Sequence, residues 1–71
     1  MIVDARELVF LRKNGPSNLA AMLSENTGVN RSSVNNELSR IKNDYNEKVI
    51  TEARRLVKAF KGLEFNPLVE A

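Results

Sequence analysis

The sequence contains no cysteine and no histidine. Without cysteine no disulfide staples the chain, and no thiolate serves as metal ligand or nucleophile. Without histidine the commonest general base and the commonest metal ligand are both missing. Metal–thiolate centres, Cys-His nucleophiles and Ser-His-Asp triads are therefore excluded. Glycine-rich phosphate loops are absent too, and no two carboxylates are placed by spacing in an apolar pocket. Seventy-one residues leave little room for a substrate cleft, so the chain is expected not to be an enzyme. Apolar runs such as Leu8-Val9-Phe10-Leu11 fall far short of the ~20 residues a membrane span needs. No secretory signal reads from the sequence, so the cytoplasm is the expected compartment. No metal, no cofactor and no membrane is expected as a partner.

What remains is a chain that is 42% apolar and 28% charged, enough for one packed domain. So short a chain buries only about 60% of its extended surface. Its core must come from amphipathic elements alone or be completed by a partner chain. Net charge is +2, from 11 basic and 9 acidic residues, and it is unevenly spread. Every Lys and Arg lies in residues 1–61, whereas residues 62–71 carry only Glu64 and Glu70. A pI near 9.3 is compatible with a nucleic-acid partner without demanding one.

The apolar periodicity is helical throughout, and nothing alternates with period 2 for long enough to be a strand. A first helix is expected over residues 1–13. Asp4 is its cap, Glu7 stands at capping-box spacing, and Leu8, Val9 and Leu11 share one face. Arg12 and Lys13 suit its last turn, and Asn14-Gly15-Pro16 stops it, Gly15 through its access to positive φ. Ser17 is the expected N-cap of a second helix over 18–26, with Leu19, Met22 and Leu23 inward. Gly28 closes that helix in a left-handed conformation. A third helix starts at Asn30 or Arg31 and runs to about Lys42, with Val34, Leu38 and Ile41 at i, i+4, i+7. A fourth is expected from near Tyr45 to Phe60, with Asp44 and Glu47 at capping-box spacing. Its apolar face is Val49, Ile50, Ala53, Leu56, Val57 and Phe60; its wet face carries Arg54, Arg55 and Lys58. Gly62 ends it. The fold class is all-α: a small four-helix bundle over residues 1–62 with an irregular apolar tail, residues 63–71, that docks back or dimerises.

The informative segment is Ala20 to Leu38, AAMLSENTGVNRSSVNNEL. Two helices joined by a tight Gly-containing turn make a helix-turn-helix. That arrangement asks for apolar contacts at Leu23 and Val34, a small residue at Ser24, Gly28 in the turn and Val29 in the corner. Ser24, Gly28-Val29, Val34 and Leu38 reproduce the spacing of the lambda-repressor-like and lac-repressor-like DNA-binding domains. The run Gly-Val-Asn-Arg-Ser-Ser-Val-Asn-Asn over 28–36 resembles their Gly-Val-Ser-x-x-Thr-Val-Ser-x core. Asn46 to Ala53 is similar to the helix that follows it. Two positions depart from the pattern: Ser24 replaces the usual Ala, and Glu37 stands where an apolar residue is usual, so the end of the third helix is expected to pack differently.

The resemblance implies a sequence-specific double-stranded DNA-binding protein acting in transcription regulation, with the helix at about 30–42 in the major groove. Arg31, Ser32, Asn35 and Asn36 then face base edges. Ser17, Asn18, Ser33, Ser39, Arg40 and Lys42 face phosphates, with Lys13 a further candidate. A homodimer is expected, because one half-site of a few base pairs discriminates too little. Plainer readings stand beside these. The chain has nine Asn, six of them between Asn26 and Asn46, and Asn30 and Asn46 read better as helix caps. Arg40 and Lys42 fit phosphate contact or plain solubility. Tyr45 suits a phosphate or the start of the fourth helix. The rival function is a helical protein–protein interaction module that binds no DNA.

Overall fold

A computed structural model describes residues 2–65. It is all-helical, with four helices and no strand among those residues: α1 Ala5–Asn14, α2 Leu19–Thr27, α3 Arg31–Ser39 and α4 Glu47–Lys61. No helix among them is long and apolar enough to cross a membrane.

α1 begins after Asp4, not at the first residue. The Asp4 carboxylate accepts from the Arg6 backbone N–H at 2.8 Å, which fixes Asp4 itself in extended backbone. The chain before it is therefore not helical, and Val3 packs into a small cluster with Leu8, Tyr45 and Ile50. Glu7 does not complete a capping box. It turns inward and takes a bidentate ion pair from Arg54 on α4, at 2.7 and 2.8 Å. Val9 lies outside the buried face, 53% exposed. Gly15 ends α1 at φ −81°, so it uses no positive φ. Its need is space: a Cβ there would lie 2.8 Å from Leu19 Cδ2 and 2.9 Å from the Leu11 carbonyl.

α2 is capped at Asn18, not Ser17, and without a side-chain bond. The Leu19 N–H donates instead to the Pro16 carbonyl at 3.1 Å, so the turn over 16–18 does the capping. Gly28 closes α2 at φ 75°, as its position predicts. Residues 28–30 link it to α3, and Val29 packs half-buried against the core.

α3 stops at Ser39, three residues before the expected end at Lys42. The cause is Tyr45, which is buried. Its hydroxyl donates to the Arg40 carbonyl and accepts from the Lys42 N–H, both at 2.8 Å. Those two bonds hold the chain in a non-helical connection, and Ile41 is left 84% exposed instead of joining the core. Tyr45 thus serves the connection to α4. The cap of α4 is Asn46, whose side chain accepts from Lys48 and Val49, so Asp44 is not used in that role. Gly62 closes α4 at φ 70°. Phe60 lies beyond the buried stripe and is 58% exposed.

The core is where α2, α3 and α4 meet α1. Leu11, Leu19, Leu23, Val34, Leu38, Val49, Ala53, Leu56 and Val57 form one cluster. Leu23 and Val34 are fully buried. Each such aliphatic side chain stabilises the fold by about 1.5–3 kcal/mol through burial. Isolated nine-residue helices are marginal in water, so this packing is what holds α2 and α3. After α4 the chain is irregular through Phe65, whose ring lies 5.6 Å from that of Phe10. The expected tail residues Leu68 and Val69 lie outside the described residues.

Candidate nucleic-acid interface

α3 turns a narrow apolar edge inward and a broad polar arc outward. Val34, Glu37 and Leu38 are buried; Arg31, Ser32, Ser33, Asn35, Asn36 and Ser39 are exposed. At 3.6 residues per turn the arc runs, in order around the helix, Arg31, Asn35, Ser39, Ser32, Asn36, Ser33. Asn30 starts the helix by accepting from the Ser32 N–H at 2.8 Å. All four residues expected at base edges therefore lie on one exposed surface.

The side chains on that arc differ in how free they are. The Ser39 hydroxyl donates to the Asn35 carbonyl at 2.6 Å. Within the described residues the carboxamides of Asn35 and Asn36 bond to nothing in the chain. Inside a helix each costs about 0.6 kcal/mol relative to Ala, so they burden the fold without a structural return.

Glu37 explains why α3 tolerates a carboxylate on its inner edge. Its Oε1 accepts from the Asn46 backbone N–H at 2.6 Å, and its other oxygen pairs with the Lys42 ammonium. Burial pushes this carboxyl up, but the Asn46 N–H and Lys42 outweigh it and hold it below the ordinary Glu value. The charge is thereby withdrawn from the outer arc. Lys42 is engaged in that pair, beyond the end of α3, and is not a free cation of the arc.

The expected phosphate contacts separate in space. Ser17 and Ser39, together with Asn35 from the residues expected at base edges, line a shallow groove of about 440 Å³ between the end of α1, the start of α2 and α3. The other expected phosphate contacts, Asn18, Ser33, Arg40 and Lys42, are not part of its lining. Arg12 is, although its place in the last turn of α1 gave no sign of this role. Its Nε donates weakly to the Leu8 carbonyl at 3.4 Å, and it has no acidic partner among the described residues. Lys13, Arg31 and Arg40 also lack one. These free cations sit in the last turn of α1 and at the two ends of α3.

On α4 three of the five cations are engaged by carboxylates, while Lys48 and Lys61 have no acidic partner among the described residues. Arg54 pairs with Glu7, Arg55 with Glu52 and Lys58 with Glu64. The bond from Glu7 raises the Arg54 pKa, against a smaller opposing effect of burial. These three cations, expected on a wet face, add no unpaired charge. Comparison with protein-family models, with curated proteins and with solved structures finds no match to this chain.

Proposed function

We propose that this chain is a sequence-specific double-stranded DNA-binding protein, a transcriptional regulator that lays α3 in the major groove and acts as a homodimer. One observation carries the reading. The exposed arc of α3 presents only hydroxyls, two unengaged carboxamides and one guanidinium, while the helix's single carboxylate is folded inward. Carboxamides and guanidinium groups match base edges in the major groove, and hydroxyls tolerate any base. The unpaired Arg12, Lys13, Arg31 and Arg40 add the positive charge that a phosphate backbone attracts. The Gly28 turn and the buried Leu23 and Val34 support a helix-turn-helix built from α2 and α3.

The test is binding of the whole chain to random duplex DNA across a salt series. The expected affinity falls on a log–log line, with a slope of about −0.9 for each phosphate contact. Absence of binding at low salt would refute the reading and favour a protein-binding helical module. Sedimentation equilibrium, with and without duplex, reads the dimer; a monomer under both conditions removes that part.

A further inference from the structure

Resting on that reading, we infer that the half-site is adenine-centred, with adenine read by Asn35 and Asn36 and one guanine read by Arg31. Four other asparagines have work inside the fold. Asn14 donates to the Phe10 carbonyl, Asn26 to Glu52, and Asn30 and Asn46 cap helices. Asn35 and Asn36 stand apart: exposed, within a helix, and with carboxamides that bond to nothing in the described chain. A carboxamide offers a donor and an acceptor side by side. Adenine presents the complementary pair, N6–H and N7, in the major groove, and guanine presents two acceptors there. Asn is thus matched to adenine.

The rest of the arc narrows the choice. The side chain that selects cytosine through N4–H is a carboxylate, and the only one on α3 is Glu37, committed to the Asn46 N–H. The hydroxyls of Ser32, Ser33 and Ser39 accept any base. Arg31 has no acidic partner among the described residues, so its fork is open to O6 and N7 of guanine. It precedes Asn35 by four residues, about 6 Å along the helix axis. That distance is close to two base steps of ~3.4 Å. A helix inclined to the duplex axis spans no more than that along the base stack, so the guanine belongs within about two steps of an adenine that Asn35 reads.

The experiment is selection from a random duplex library with the whole chain and with Asn35→Ala, Asn36→Ala and Arg31→Ala. These positions are exposed, so the variants keep the core. The wild-type motif is expected to hold adenine in the columns that Asn35→Ala and Asn36→Ala relax. Arg31→Ala is expected to relax a guanine column within about two steps. Placing 7-deazaadenine in the Asn-dependent columns removes the N7 acceptor. It is expected to weaken wild-type binding by roughly 5- to 150-fold, the span of one bidentate pair. G·C pairs in the Asn-dependent columns would overturn the inference and leave DNA binding standing. So would a motif unchanged in both Asn variants. No retention of any duplex at low salt would overturn the DNA reading itself.

Discussion

Glu37 is where a change should be felt most sharply outside the apolar core. Its carboxylate has a side chain only 9% exposed and accepts the Asn46 N–H at 2.6 Å, at the residue that starts α4. Replacing it with Ala removes that acceptor and leaves a half-buried N–H to find water. Hydrogen bonds to a charged group contribute about 1.5–3 kcal/mol. The Lys42 ammonium released by the change is 35% exposed, so its pairing adds little. Glu37→Ala should therefore cost about 2 kcal/mol. At roughly 4–8 °C per kcal/mol for a chain of this size, Tm falls by about 8–16 °C. Glu37→Gln keeps a neutral acceptor and should cost about 1 kcal/mol. Acid should act on the same bond. The folded carboxyl titrates below its ordinary value, whereas the unfolded one titrates near ~4.3. The stabilisation is complete above ~4.3, declines as pH falls, and is gone below the folded pKa. Urea unfolding at pH 7 and at pH 3 reads this directly. The gap between wild type and Glu37→Gln should be open at pH 7 and narrow at pH 3. Other carboxylates titrate alike in both proteins and cancel. A Glu37→Ala cost under about 0.5 kcal/mol, well below the range of a charged hydrogen bond, or a gap that does not narrow in acid, would refute the reasoning.

Three further outcomes are expected. Arg54→Met should destabilise by about 1–2 kcal/mol in urea unfolding, because it strands the buried Glu7 carboxylate; the half-exposed guanidinium keeps the figure below that of a fully buried pair. Pairing it with Glu7→Leu should recover most of the loss, and no recovery would mean that the pair is not the cause. Gly28→Asn should be tolerated, since Asn reaches positive φ and nothing crowds a Cβ there, while Gly15→Asn should cost about 1–3 kcal/mol by collision with Leu19 and the Leu11 carbonyl. Equal thermal melts for the two would contradict that account. Arg12→Gln should weaken binding to all duplexes alike and flatten the salt slope by about 0.9, whereas Arg55→Gln should leave it unchanged, so a flattened slope in Arg55→Gln would show that the paired α4 face also meets phosphate.

The elements that read cleanly from the sequence are those decided locally. Asp4, Asn30 and Asn46 cap helices within three residues of themselves, and Gly28 and Gly62 take the left-handed conformation their positions require. The inward faces at Leu23, Val34, Val49 and Ile50 follow from periodicity alone. The end of α3 did not, because Ile41 continues the spacing of Val34 and Leu38 without a break. What stops the helix is a tyrosine hydroxyl from beyond it. Glu7 looked like a capping partner because its real one, Arg54, is 47 positions away. On the site, the polar arc of α3 was legible residue by residue. Arg12 was not: in the last turn of α1 a cation already has a local reason to be there, and only the placing of α1 beside α3 makes it a neighbour of Asn35.

The bond between α1 and α4 also bears on the order in which the molecule comes together. α2, α3 and α4 follow one another through short connections, and closing each costs little chain entropy. α1 meets α4 across long stretches of chain, through the Glu7–Arg54 pair 47 positions apart and the packing of Leu8 with Ile50. Such distant closures are the last to be rewarded during folding. Amides of α1 are then expected to exchange with solvent before those of α2 and α4. Each opening of α1 also lifts Arg12 away from α3, so the groove shared by the two helices exists only while α1 is docked.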